Sequence, residues 1–128
     1  MGDDILQGRD GDDTLIGGDG NDKADYSKAG GAVDVDLANN IAISDGDGGS
    51  DTLSGIEDLA GSNFDDLLTG NDSDNTLEGN AGSDVLKGGA GQDTLDGGAA
   101  RDTADYSDAA GSISVDLIAG EALSLIHI

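Results

Sequence analysis

The chain has 128 residues, with 28 acids against 5 Lys and Arg and a formal net charge of −23. So acidic a surface excludes nucleic acid, whose phosphate backbone needs basic groups, and disfavours anionic membranes; the absence of cysteine excludes disulfides and thiolate metal sites. The acids are 25 Asp and 3 Glu, beside 23 Gly and no Pro, and Asp and Gly are poor in helices and strands, so elements must be short and turns many.

Residues 1–25 carry a nine-residue period. GRDGDDTLI (8–16) and GGDGNDKAD (17–25) are full blocks, and Met1–Gln7 reads as the end of another. The chain is therefore expected to begin inside a repeat. No basic-then-apolar leader pattern opens it and no apolar run could span a bilayer, so export would need another route.

Residues 26–60 break the period. Val33, Val35 and Leu37, then Ile41 and Ile43, alternate around Asn39-Asn40, which reads as two short strands and a tight turn. Asp45–Ser50 is a polar turn. Asp51-Thr52-Leu53-Ser54 regains the Asp-x-Leu-x ending, so this segment is expected to be a longer coil of one solenoid rather than a linker.

Residues 61–105 form five further blocks: GSNFDDLLT, GNDSDNTLE, GNAGSDVLK, GGAGQDTLD and GGAARDTAD. Position one is always glycine (Gly61, Gly70, Gly79, Gly88, Gly97). Position six is Asp66, Asn75, Asp84, Asp93 and Asp102, and position eight is Leu68, Leu77, Leu86, Leu95 and Ala104. Asp25–Ser44 and Asp105–Ser124 align at an offset of 80 residues with 10 of 20 identical, so a larger unit lies above the nonapeptide. Residues 106–123 start its second copy. The last five residues, Ser124–Ile128, depart from the first copy; they read either as a final apolar strand or as translated adapter sequence. The lone histidine, His127, is assigned no role.

The period has a chemical logic. Glycines at positions one, two and four let the backbone take positive φ and leave carbonyls unobstructed. Position six places a carboxylate beside that turn, and the next three residues extend as a strand with the position-eight Leu inward. Two blocks make one coil, and stacked coils pair as parallel sheets about 4.8 Å apart. Asp66, Asp84 and Asp102 then fall in one column, with Asn75 and Asp93 in the other; in the first run Asp4 neighbours Asp22, with Asp13 opposite. Carboxylates 4 Å apart repel by about 4 kcal/mol at an effective dielectric of 20, whereas one buried Leu contributes about 1.5–3 kcal/mol. A bare roll is thus expected to be unstable, and a divalent cation between coils reverses the sign. Many carboxylate and carbonyl oxygens, with no Cys and no usable His, select Ca²⁺. The expected ligands are Asp4, Asp13, Asp22, Asp66, Asn75, Asp84, Asp93 and Asp102, with Gly18, Gly20, Gly82, Gly89 and Gly91 as turn residues. Neutral Asn75 should make its column the weaker one.

These blocks resemble the Gly-Gly-x-Gly-x-Asp-x-Leu-x pattern of RTX, or haemolysin-type, calcium-binding repeats. GGDGND (17–22) and GGAGQD (88–93) match its turn fully, and GNAGSD (79–84) departs at Asn80; Phe64, Ser73 and Ala100 replace the position-four glycine elsewhere. The resemblance implies an all-β fold, a right-handed parallel β-roll or β-helix solenoid, with Ca²⁺ held between turns. It also implies a secreted bacterial protein (a toxin, protease, lipase or adhesin) exported by type I secretion machinery and folding outside the cell or at its surface. Three other readings compete. An acidic disordered chain accounts for the charge but not for the register of Gly, Asp and Leu. An EF-hand at Asp45-Gly46-Asp47-Gly48-Gly49 fails, because loop position five is Gly49 and position twelve is Ile56. No catalytic set is present, so the chain is expected not to be an enzyme. A structural or adhesive solenoid presenting a flat face, or the non-catalytic part of a secreted hydrolase, remains the alternative.

Overall fold

The computed structural model describes residues 2–109 and, as backbone, the strand at 122–127. Among these residues every regular element is a strand. In order they are β1 (Ile5–Leu6), β2 (Thr14–Ile16), β3 (Lys23–Asp25), β4 (Asp34–Asp36), β5 (Ile41–Ser44), β6 (Asp51–Ser54), β7 (Asp58–Ala60), β8 (Leu67–Thr69), β9 (Thr76–Glu78), β10 (Val85–Lys87), β11 (Thr94–Asp96), β12 (Arg101–Asp105) and β13 (Ala122–His127). Most are three residues long, as a nonapeptide with a six-residue turn requires.

Successive strands alternate between two sheets. One runs β1-β3-β7-β9-β11, and the other runs β13-β12-β10-β8-β4-β5-β6-β2. Within the repeat runs the pairing is parallel and in register at an offset of 18 residues, as in Leu68↔Leu86 and Leu77↔Leu95. This is the parallel roll that the period implies. One Leu per strand points inward: Leu15, Leu53, Leu59, Leu68, Leu77 and Leu86 are all buried, as are Ala24 and Ala104 in the same position. Position seven and nine side chains face out.

The segment between the runs is more than a longer coil. The alternation around Asn39-Asn40 does give a strand pair, since β4 and β5 are antiparallel, but β5 is also antiparallel to β6. β4 then pairs parallel with β8, and β6 parallel with β2. The chain thus passes over an empty level, turns back, and fills it. Between β2 and β8 the larger sheet holds three strands, where the smaller sheet steps directly from β3 to β7. Larger side chains fill the added volume: Tyr26, Val33, Val35, Leu37 and Ile56 join the leucine stack as buried residues. The period was silent on this excursion because its pairings join residues far apart in sequence. Of the second 80-residue copy, residues 110–121 lie outside the described residues; in the tail, the backbone of β13 pairs parallel with β12.

The glycines divide into two classes, which corrects the expectation that all three repeat positions need positive φ. Position-two and position-four glycines do: Gly18 (100°), Gly20 (140°), Gly82 (117°), Gly89 (96°) and Gly91 (101°). Position-one glycines do not; Gly61, Gly70, Gly79, Gly88 and Gly97 lie outside that region. Non-glycine residues occupy it at Arg9 (75°), Asn80 (75°) and Ala100 (87°). Asn tolerates this conformation and Ala does not. Ala100→Gly is therefore expected to raise stability by roughly 1 kcal/mol, read as a higher Tm at saturating calcium.

Candidate metal centre

Each turn ends at its position-six residue, whose carboxylate folds back over the position-one glycine. A Cβ on Gly79 would stand 2.2 Å from Asp84 Oδ2 and 2.7 Å from the Gly97 carbonyl oxygen. The same arrangement recurs at Gly17, with Asp22 Oδ2 at 2.6 Å and the Gly55 carbonyl at 2.1 Å. It is the close approach of two oxygens, not backbone torsion, that demands glycine at position one.

The other carboxylate oxygen ties coil to coil. Asp84 Oδ1 accepts from the Asp66 N–H at 2.8 Å, and Asp102 Oδ1 accepts from the Asp84 N–H at 2.9 Å. On the opposite edge Asp22 Oδ1 accepts from the Asp4 N–H at 2.7 Å, and Asp93 Oδ1 accepts from the Asn75 N–H at 3.0 Å. The two predicted columns are therefore present, as ladders of carboxylates each bonded to the backbone of the neighbouring coil. Asp13 belongs to a separate stack, in which its N–H donates to Asp51 Oδ1 at 2.9 Å. Asp4 sits exposed at one end of its column.

Sequence reasoning missed Glu57. The Asp22 N–H donates to Glu57 Oε2 at 2.9 Å, so Glu57 takes the position-six place and joins the first run to the second along one edge. The Gly-x-Glu-Asp-Leu spacing before β7 was the available signal, masked by the longer acid.

The carboxylates differ in what satisfies them. Asp22 and Asp84 are buried, and Asp22 Oδ2, Asp84 Oδ2 and the less buried Asp13's Oδ2 are enclosed without any hydrogen-bond partner. Leaving such an oxygen unpaired in the interior is costly. Burial, with the charges of Asp66, Asp102 and Asp65 added, pushes the Asp84 carboxyl up to about 7, and burial raises Asp66 and Asp93 as well. Asp66 is closed by protein donors: Ser62 N–H on Oδ2 at 2.6 Å, with Ser62 Oγ (2.7 Å) and Val33 N–H (2.8 Å) on Oδ1. Asn75 is closed too. Its Oδ1 accepts from the Asn71 N–H at 2.8 Å, and its Nδ2 donates to the Glu57 carbonyl at 2.6 Å and to Asn71 Oδ1 at 3.2 Å. The amide N–H groups stand where neighbouring turns present bare oxygen.

Two expectations follow. Asn75→Ala removes three hydrogen bonds from a buried site, so a loss of about 1–3 kcal/mol is expected; thermal melts should show a deficit that extra calcium does not erase. The second concerns pH. The folded-state pKa of Asp84 lies above its ordinary value of 3.8. The unfolded chain ionises first, so the calcium-free roll is most stable below about pH 4 and loses stability as pH rises towards 7. In chelator, acidifying from neutral pH should therefore increase β-structure by circular dichroism, and saturating calcium should flatten that dependence. A calcium-free signal that falls on acidification would contradict it.

Among the described residues no three acidic side chains converge on one point. The donors that do converge are one carboxylate oxygen and one glycine carbonyl per turn, repeated along the roll. All are hard oxygens, and the unpaired buried ones fit a calcium-sized hard cation. The molecule thus defines a class: a parallel β-roll with oxygen-lined turns. Residues 1–25, 54–78 and 69–104 match the RTX calcium-binding nonapeptide repeat in 4 copies. These segments cover more than half of the chain, which belongs to that family. A comparison with curated proteins gives no match.

Proposed function

We propose that this chain is a non-catalytic calcium-binding module whose roll forms on calcium binding, within a larger secreted bacterial protein. The observation that carries the reading is the set of buried carboxylate oxygens without hydrogen-bond partners on Asp13, Asp22 and Asp84. A cation bound only by the stacked state stabilises that state. RTX repeats occur in secreted bacterial proteins, which supports an extracellular or cell-surface location and export through type I secretion machinery. Extracellular calcium modules bind at about 10⁻⁴–10⁻³ M, a range that leaves such a chain empty in cytosol and filled outside.

Equilibrium dialysis with calcium tests this. Saturable uptake of several ions per chain in that range is expected, and no saturable uptake would sink the reading. One observation favours an added structural or adhesive role. Ile16, Ile43 and Leu67 are 64%, 57% and 40% exposed on the outer face of the larger sheet.

A further inference from the structure

The loop from β5 to β6 lies in the gap between matched segments 1–25 and 54–78. It is organised by Asp45, which is 1% exposed. Asp45 Oδ1 accepts from the N–H groups of Asp47 (2.8 Å) and Gly49 (2.9 Å). Its Oδ2 is buried with no hydrogen-bond partner. Gly49 marks where that oxygen points: a Cβ there would stand 2.7 Å from Asp45 Oδ2 and 2.2 Å from the Gly11 carbonyl oxygen. This is the donor pair found over Gly79 and Gly17, one carboxylate oxygen and one glycine carbonyl of the neighbouring coil, and there too the carboxylate oxygen is buried and unpaired.

The loop is seated on the turn at 8–13. Ser50 N–H donates to Asp12 Oδ1 at 3.0 Å, and Asp13 N–H donates to Asp51 Oδ1 at 2.9 Å. Beside it, a Cβ on Gly8 would meet Asp51 Oδ2 at 2.8 Å and Asp13 Oδ2 at 3.0 Å. The Tyr26 hydroxyl donates to Asp51 Oδ2 at 3.0 Å.

We infer that this loop carries a divalent-cation site of its own, with Asp45 Oδ2 and the Gly11 carbonyl as ligands and Asp13 and Asp51 as flanking charges. It rests on the calcium reading of the repeats for the choice of ion. The nonapeptide pattern does not reveal it, because Asp45 precedes its glycine by four residues, whereas repeat carboxylates follow theirs by five. Its consequence is to fasten the antiparallel excursion to the first repeat run.

Tyrosine luminescence tests it. The chain has Tyr26 and Tyr106 and no Trp, and Tb³⁺, which replaces Ca²⁺ at oxygen sites, emits when excited through a nearby tyrosine. In Tyr106→Phe, Tb³⁺ should give Tyr26-sensitised emission. Adding Asp45→Asn, which keeps the Oδ1 bonds and removes the unpaired oxygen, should raise the Tb³⁺ midpoint of that emission about tenfold or more, while circular dichroism shows a folded chain. A folded Tyr106→Phe chain without Tyr26-sensitised emission overturns the inference, as does emission indifferent to Asp45→Asn. A measurement on the unsubstituted chain guards against a variant that fails to fold: paramagnetic Tb³⁺ should broaden the Gly11 and Asp45 resonances, and sharp ones overturn the site. Absence of calcium-dependent folding and of any Tb³⁺ uptake would instead remove the calcium reading itself.

Discussion

Titrating calcium into the calcium-free chain at neutral pH is expected to convert a largely unstructured spectrum into a β-spectrum in one cooperative step. The reason is electrostatic. The chain carries a net charge of −23, and its position-six carboxylates are stacked at 18-residue spacing with several oxygens buried and bare. The two ion pairs among the described residues, Lys23–Glu78 and Lys87–Asp108, lie at the surface and contribute about 0–1 kcal/mol each. The inward leucines supply one side chain per strand. Nothing in the protein opposes the carboxylate repulsion as a bound divalent cation would. Magnesium should substitute poorly, because it keeps its waters and demands octahedral geometry that carbonyl-rich turns do not provide. Circular dichroism decides the matter: identical spectra with and without calcium would sink the coupled-folding reading, and equal rescue by magnesium would reduce the effect to charge neutralisation.

Gly79→Ala should be the most damaging small substitution. On an exposed site with permissive φ, Gly→Ala gains about 0.4–1 kcal/mol through the unfolded state. Gly79 is buried, and its new Cβ would overlap Asp84 Oδ2 at 2.2 Å and the Gly97 carbonyl at 2.7 Å. Neither atom is the free end of a flexible chain. Overpacking of this kind costs about 1–3 kcal/mol and occasionally more, and here it also displaces the carboxylate oxygen that the cation reading requires. The expected outcome is a large drop in Tm together with a higher calcium midpoint for folding. A variant matching the parent in both would show that the glycine–carboxylate contact is unimportant.

Most of the roll was legible because its determinants are local. The position-eight leucines do form the core, and the columns Asp66/Asp84/Asp102 and Asn75/Asp93 do stack. What sequence could not show depends on partners in other coils. The need for glycine at position one arises from two oxygens packed against it. Asn75 matches an oxygen donor by residue type, yet its nitrogen is spent on the Glu57 carbonyl and Asn71. Glu57 reaches Asp22 across 35 residues. Asp45 faces Gly11 only because β5 runs backwards, which no nine-residue period encodes.

The antiparallel excursion also sets the order in which the roll can close. Elsewhere each strand finds its neighbour 18 residues later, as Ile5 does with Lys23 and Leu67 with Val85. At the excursion the interval lengthens: Thr14 meets Thr52, Lys23 meets Asp58, and Asp34 meets Leu67. A chain zipping coil by coil from its N-terminal side would advance in even steps and then pause with β2 uncovered until β6 arrived. Loop-closure entropy grows slowly with length, so this pause is modest in free energy but separates two otherwise uniform stretches of zipping. The excursion is thus a punctuation mark in time as well as in space, dividing a monotone repeat into segments that close one after another.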